Sequence, residues 1–206
     1  MSVVNSSFNS IGVIGAGQMG SGIAQVLAQY GIQVVLQDVN EKSLEKARAG
    51  MEKSLQKLIE KGKITETVAS VMARIRTTTS MDDLSPVELA IEAATENKSV
   101  KMAIFQRLDQ ILKPSAVIGT NTSSISITEL AACTKRPAQF IGIHFMNPVP
   151  LMKLVEVING QLTAPETTER ILTLIQLIEK TATKSQDFPG FIVNRILMPM
   201  INEAIY

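Results

Sequence analysis

The sequence predicts an α/β fold: a doubly wound, mostly parallel sheet followed by the start of an all-helical segment. Three observations carry that expectation. Short apolar runs alternate along the chain with stretches of helical periodicity, the pattern of successive βαβ units. The first run ends in a glycine-rich turn that leads directly into a helix, and the second ends in an acidic residue.

The elements follow in order. Ile11–Ile14 is a short apolar run, and after its glycines Met19, Ile23, Val26 and Tyr30 recur on one helical face. Gly31 closes that helix, a position where glycine accepts the left-handed backbone of a helix end. Gln33–Gln37 reads as a second strand, with Asp38 just past its tip. Strand, helix and strand within 38 residues imply a parallel pair joined by a right-handed crossover.

Residues 41–76 read as a helical insertion, with a long helix over Glu41–Lys61 whose apolar stripe is Leu44, Ala47, Met51, Leu55 and Leu58. The insertion carries nine Lys/Arg and five Glu. Two readings of this excess of positive charge stay open: a solvated helix face, or a surface over which an anionic part of a ligand lies. Further strands are expected at Val87–Ala93, Ala116–Gly119, Phe140–Ile143 and Leu154–Ile158, with helices over about Ser99–Leu112 and Glu166–Lys180. Asp187-Phe-Pro-Gly190 breaks the pattern, and Phe191–Tyr206 reads as the opening of another helix. The chain therefore divides at about residue 187, into a sheet domain over 1–187 and the beginning of a helical domain over 188–206.

Composition narrows the function classes. Apolar residues make up 45% and charged residues 19%, ordinary for a soluble globular protein, and a net charge of +1 gives no pull toward nucleic acid or an anionic membrane. A single cysteine, Cys133, excludes an internal disulfide and fits a reducing compartment. The first ten residues lack the basic and apolar regions of a signal peptide, and no apolar run reaches the ~18 residues of a membrane span. A cytoplasmic protein is expected. There is one histidine, His144, so a His-rich metal site is impossible, no metal is expected, and any imidazole-dependent chemistry falls to this residue.

Gly15-Ala-Gly-Gln-Met-Gly20 matches G-x-G-x-x-G, a weak pattern alone. Its context is specific: a strand before it, a helix after it, and an acid 18 residues beyond Gly20 at the tip of the next strand. Gly15 permits the tight turn, Gly17 lets the backbone approach a pyrophosphate, and Gly20 lets helix and strand pack closely. Free N–H groups and a partial positive charge at the helix start face the phosphates. Gln18 and Met19, inside the loop, join the cofactor-binding positions. Asp38 is expected to accept hydrogen bonds from the adenine ribose hydroxyls, which favours NAD over NADP because a 2′-phosphate would meet a carboxylate. A Rossmann-type unit binding NAD is the expectation; the alternative is a glycine-rich turn with a solvent-facing Asp38.

The second dense region runs from His144 to Glu156, each six residues from Pro150. If the chain doubles back near that proline, the two side chains meet. A carboxylate on one imidazole nitrogen fixes the tautomer and stabilises the imidazolium formed when the other nitrogen takes a proton. An imidazole, titrating near ~6.5 when unperturbed, is suited to removing an alcohol proton as hydride leaves for a nicotinamide. The alternative is a structural histidine at a strand end and a surface acid. Polar Asn121-Thr-Ser-Ser124 follows another strand, and ligands in such sheets bind beyond the carboxyl ends of strands.

Taken together, IGVIGAGQMGSGIAQ, Asp38, Glu96-Asn97, NTSS, HFMNPVPLMKLVEV and PGFIVNR resemble the short-chain L-3-hydroxyacyl-CoA dehydrogenase family, which includes the 3-hydroxybutyryl-CoA dehydrogenases. The resemblance covers essentially the whole chain. It implies reversible oxidation of an L-3-hydroxyacyl-CoA to a 3-ketoacyl-CoA with NAD, in fatty acid and butanoate metabolism. It makes His144 the base and Glu156 its orienting partner. Ser123 would hydrogen-bond the reacting oxygen, and Asn194 would help hold the substrate. Glu96, Lys101 and Asn147 match positions lining the nicotinamide half of the cofactor site, and Ser123 is also implied as a cofactor-binding position. Ser54 and Lys61, with Ser123, match positions that contact the CoA substrate; the first two lie two helical turns apart on one face.

Two departures accompany the resemblance. The family continues past the position of Tyr206 as a helical domain that closes the cleft and forms a homodimer, so most of that domain is expected to be missing and the apolar face of Phe191–Tyr206 exposed. Thr183–Gln186 is also more polar than the family's strand before its Asp-x-Pro-Gly turn. Other functions remain open here: oxidation of a different hydroxy compound such as a sugar acid, or an NAD-binding module without turnover.

Overall fold

The computed structural model describes residues 8–205 of the chain. The expectations for the first seven residues and for Tyr206 lie outside the described residues. Among the described residues, eight strands form one sheet: β1 (Ser10–Ile14), β2 (Gln33–Gln37), β3 (Ile75–Thr78), β4 (Leu89–Glu92), β5 (Val117–Thr120), β6 (Phe140–Phe145), β7 (Leu154–Asn159) and β8 (Thr181–Gln186). Their order across the sheet is β3-β2-β1-β4-β5-β6-β7-β8. All neighbours are parallel except β6 and β7. From β1 the chain moves outward to β2 and β3 and then returns to the other side of β1 with β4. That reversal opens a crevice at the carboxyl ends of β1 and β4, the place where such sheets bind ligands.

The helices are α1 (Gln18–Gln29), α2 (Glu41–Glu60), α3 (Val68–Met72), α4 (Lys98–Ile111), α5 (Ile127–Ala131), α6 (Pro165–Leu177) and α7 (Val193–Ile205). Alternate residues of the central strands feed two cores. Ile11, Val13, Leu89, Ile91 and Val117 pack with Ile23 and Leu27 of α1, Leu44 and Leu55 of α2, and Ile171 and Leu174 of α6. Ile14, Ala90 and Ile118 pack with Phe105 and Leu108 of α4 and with Ile127 and Leu130 of α5. This period-two division, with helices on both faces, is what buried parallel strands require.

Three regions differ from a reading of periodicity. The expected insertion is one long helix that ends at Glu60, where Gly62 turns the chain with φ +64, then short α3, then β3. β3 is four residues, Ile-Arg-Thr-Thr, with one buried apolar side chain, too short to show a pattern. Asn40 caps α2 by accepting from Lys42 N, and Thr67 caps α3 by accepting from Ser70 N. Polar Thr181–Gln186 forms a regular six-rung parallel pair with β7 at the sheet's edge, where an open flank suits polar side chains. Along α7 no residue is buried, and Ile196, Met198, Met200 and Ile205 are each more than half exposed. No helix among the described residues is long and apolar enough to cross a membrane.

Candidate active site

The glycine loop sits between β1 and α1 and each glycine is explained by what surrounds it. Gly15 has φ +99, and a Cβ there would fall 2.5 Å from the Ala94 Cα, so a side chain is doubly excluded. A Cβ on Gly20 would lie 1.8 Å from the Gly15 carbonyl oxygen, so α1 is packed against its own loop at hydrogen-atom distance. At Gly17 a Cβ would meet nothing within 4 Å: the space before the helix start is open. Gly17 is also the N-cap of α1, and the first turn holds no acidic residue. An open cradle at a positive helix end fits a pyrophosphate.

Asp38, just beyond β2, closes the loop from the other side. Its Oδ2 accepts from Ala16 N at 2.8 Å and its Oδ1 from Asn40 N at 2.9 Å, while Gly15 N donates to Gln37 O at 2.7 Å. The carboxylate thus orients the glycine loop from the tip of β2. These groups fit NAD.

A cavity of about 660 Å³ opens beside the loop, bordered by Met19 and by residues from the ends of β4, β5 and β6 and from α7. His144 lines it. The loop between β6 and β7 doubles back, and the antiparallel register sets His144 opposite Glu156. Nδ1 of the imidazole lies 2.7 Å from Glu156 Oε2, and Glu156 is wholly buried. An ionised carboxylate only accepts, so opposite one Nδ1 would donate and Nε2 would be left free to accept. The second oxygen, Oε1, accepts from Ile192 N and Val193 N, both at 2.9 Å, so the same carboxylate holds the entry to α7. Phe191 meets the imidazole edge-on, ring centroids 6.0 Å apart.

A second network flanks the cavity. Buried Glu92, the last residue of β4, accepts from Lys101 Nζ at 2.5 Å, Thr120 Oγ1 at 2.9 Å and Ala94 N at 2.8 Å. Lys101 is itself buried and lies 3.8 Å from Glu96 Oε2. Glu96 Oε1 accepts from Thr122 Oγ1 at 2.7 Å, Ser123 N at 2.8 Å and Ser123 Oγ at 3.0 Å. Burial alone raises the Glu96 carboxyl, but the bonds from Thr122 and Ser123 and the Lys101 charge outweigh it and hold it below the ordinary range. Asn194 Nδ2 donates to Ser123 O at 3.2 Å, and Gln18 Nε2 donates to Asn147 Oδ1 at 3.0 Å.

The structure therefore gathers Met19, Glu96, Lys101, Ser123, His144, Asn147 and Asn194 around one cavity, with Glu156 behind the imidazole. Ser123 Oγ is turned to Glu96. Ser54 and Lys61 do not line that cavity; Ser54 is half-buried on α2, and Lys61 is exposed at its C-cap. Sequence reasoning missed Glu92, whose signal was a carboxylate ending an otherwise apolar strand. It also missed the role of Asn121, whose Oδ1 accepts from Phe145 N at 2.8 Å and ties β5 to β6 beside His144. Asp187 read only as a break. Its carboxylate accepts from Ser126 Oγ, Ile127 N and Thr128 N, each at 2.8 Å, capping α5 from 60 residues away.

Residues 10–188 match the family model described as 3-hydroxyacyl-CoA dehydrogenase, NAD binding domain. The chain is 53% identical over 194 residues to a protein of Deinococcus radiodurans named Probable 3-hydroxybutyryl-CoA dehydrogenase, covering 94% of this chain and 70% of that one. It is 50% identical over 197 residues to the 3-hydroxybutyryl-CoA dehydrogenase of Bradyrhizobium diazoefficiens, covering 95% and 67%. The crystal structure of (S)-3-hydroxybutyryl-CoA dehydrogenase from Ralstonia eutropha superposes with a TM-score of 0.93 at 47% identity, over 96% of this chain and 70% of that one.

Proposed function

This chain belongs to the 3-hydroxyacyl-CoA dehydrogenase family, and on that premise we propose that it oxidises short L-3-hydroxyacyl-CoA esters, such as 3-hydroxybutyryl-CoA, to 3-ketoacyl-CoA with NAD. One observation carries the mechanism: the only imidazole borders the cavity beside the glycine loop, with a buried carboxylate 2.7 Å behind it. NAD, when bound, supplies the acceptor for the hydride that leaves C3. His144 Nε2 takes the hydroxyl proton as the C3–O bond becomes a carbonyl, and Glu156 stabilises the imidazolium that results. In the reverse direction the imidazolium returns the proton to the ketone oxygen.

Ser123 is assigned to the reacting oxygen and Asn194 to holding the substrate. Glu96, Lys101 and Asn147 are assigned to the nicotinamide half of the site. Gly15, Gly17, Gln18, Met19, Gly20 and Asp38 are assigned to the remainder of the dinucleotide. Ser54 and Lys61 are assigned to the CoA moiety; their shared flank of α2 and the basic balance of residues 41–76 support this. A cytoplasmic setting, which the single cysteine fits, and a homodimer are parts of the same proposal.

The test follows NADH absorbance with acetoacetyl-CoA, on the chain and on His144→Gln. Turnover in the first, and its loss in the second with NADH binding retained, is the expected result. Tight NADH binding without turnover in the unsubstituted chain would refute the dehydrogenase reading.

A further inference from the structure

We propose that Lys180 is a positioning residue for the reaction: its ammonium holds the loop between His144 and Glu156 in the arrangement that presents Asn147 and Met152 to the active-site cavity. The inference rests on the dehydrogenase reading of that cavity. Lys180 stands between α6 and β8, 36 residues beyond His144, and touches none of the groups assigned to the chemistry. Its Nζ donates to two backbone carbonyls of the loop, Val149 O at 2.7 Å and Met152 O at 2.6 Å.

The loop needs such a tie. The pairing of β6 with β7 fixes its two ends, at Phe145 and Val155. Between them the internal backbone bonds are Leu151 N and Met152 N to the single acceptor Pro148 O, each at 3.0 Å. The loop also separates two spaces. Asn147 and Met152 border the active-site cavity, whereas Pro150, Leu151 and Lys153 border a second cavity of about 570 Å³ that Lys180 also lines. Val149 is packed into the core, but Leu151, Met152 and Lys153 after it are exposed, so side-chain packing holds only one side of the loop. A cation bonded to two carbonyls supplies directional, charge-assisted restraint at that point.

The loop's position is also felt by the cofactor helix. A Cβ on Gly22 of α1 would lie 2.9 Å from the Val149 Cβ, so Val149 rests directly on the helix backbone. Asn147 is bonded to Gln18 in the first turn of the same helix. Thr181 N, adjacent to Lys180, donates to Lys153 O at 2.8 Å, so β8 and the ammonium clamp the loop together. Burial lowers the affinity of the Lys180 amine for its proton, a cost accepted at a site where both contacts are carbonyl oxygens.

Lys180→Met keeps the stem and removes the donors, and Lys180→Arg keeps the charge and can reach two carbonyls. In Lys180→Met, kcat for acetoacetyl-CoA reduction is expected to fall by about 10- to 100-fold, as for a roughly 1 Å misplacement. The affinity for NADH is expected to weaken by less than kcat falls, since Asn147 shifts while Asp38 and the glycine loop are untouched. Amides of Leu151, Met152 and Thr181 should exchange faster with deuterium, and Lys180→Arg should recover most of the lost kcat. Unchanged exchange and kcat in Lys180→Met would overturn the proposal. So would a loss of NADH binding in step with kcat, which marks a general structural role. If Lys180→Met does not fold, Lys180→Gln takes the same measurements. The exchange comparison needs no turnover, so an inactive parent chain would refute the functional reading while the loop restraint is still decided.

Discussion

His144 and Glu156 face each other across an antiparallel register, yet only one oxygen of the carboxylate serves the imidazole. The other holds the backbone amides of Ile192 and Val193 at the start of α7. One buried group thus orients the imidazole and anchors the segment that brings Asn194 to the cavity rim.

Glu156→Gln separates these duties. The amide can accept with one atom only, so either Nδ1–H or the two α7 amides lose their acceptor. We expect kcat to fall by about 10²- to 10⁴-fold with NADH affinity retained. Faster deuterium exchange at Ile192 and Val193 would show which contact the amide gave up. Wild-type kcat in this variant would refute the role of the carboxylate.

Gly17→Ala and Gly20→Ala should fail in different ways. The Gly20 Cβ has no room, at 1.8 Å from a carbonyl oxygen, so that variant should lose both thermal stability and NADH binding. Gly17 has open space, so its variant should melt near the parent temperature while binding NADH at least about tenfold more weakly, because the methyl occupies the phosphate cradle. Calorimetry with fluorescence titration of NADH distinguishes the two.

Asp38→Ala removes the acceptor for Ala16 N together with the carboxylate assigned to the ribose. Charge-assisted bonds of this kind are worth about 1.5–3 kcal/mol, so NADH affinity should drop by roughly 10- to 100-fold. The preference for NADH over NADPH should narrow at the same time, since the charge that repels a 2′-phosphate is gone. An unchanged preference ratio would count against Asp38 as the discriminating residue.

Asp187 gives a prediction in pH. Burial pushes its carboxyl up, but hydrogen bonds from Thr128, Ser126 and Ile127 outweigh burial and leave it below the ordinary value. A depressed carboxyl contributes stability that is complete above its unfolded pKa of about 3.9 and is lost as pH falls through the folded value. Removing a helix cap costs about 1 kcal/mol, so Asp187→Ala should lower Tm by roughly 2–4 °C at pH 7. The difference from the parent should shrink as the solution is acidified below about pH 4. A Tm gap that stays constant to pH 2.5 would exclude this linkage.

Much of the site was legible because its signals are local. The glycine loop, the acid at the tip of β2 and the pair centred on Pro150 each occupy short windows in which residue type states a backbone need or a chemistry. The alternation of apolar runs and helical stripes likewise placed most strands and the major helices. β3 escaped because four residues with one buried apolar side chain carry no readable period. The edge position of β8 escaped because polar residues in a strand make sense only once the neighbouring flank is known to be open.

Residue chemistry in the linear chain settled the fold class and the cofactor and singled out the lone imidazole, since these follow from patterns spanning a few turns or one strand. Folding in three dimensions settled which groups share a network: Glu92 with Lys101 and Thr120, Glu156 with the amides of α7, Asp187 with α5, Lys180 with the loop between β6 and β7. Those contacts join positions 9 to 60 residues apart, and each exists only because strand register and crossover geometry bring the partners within 3 Å. No local composition encodes such a meeting, because the same side chains on the same elements would part if one strand slipped by a single residue.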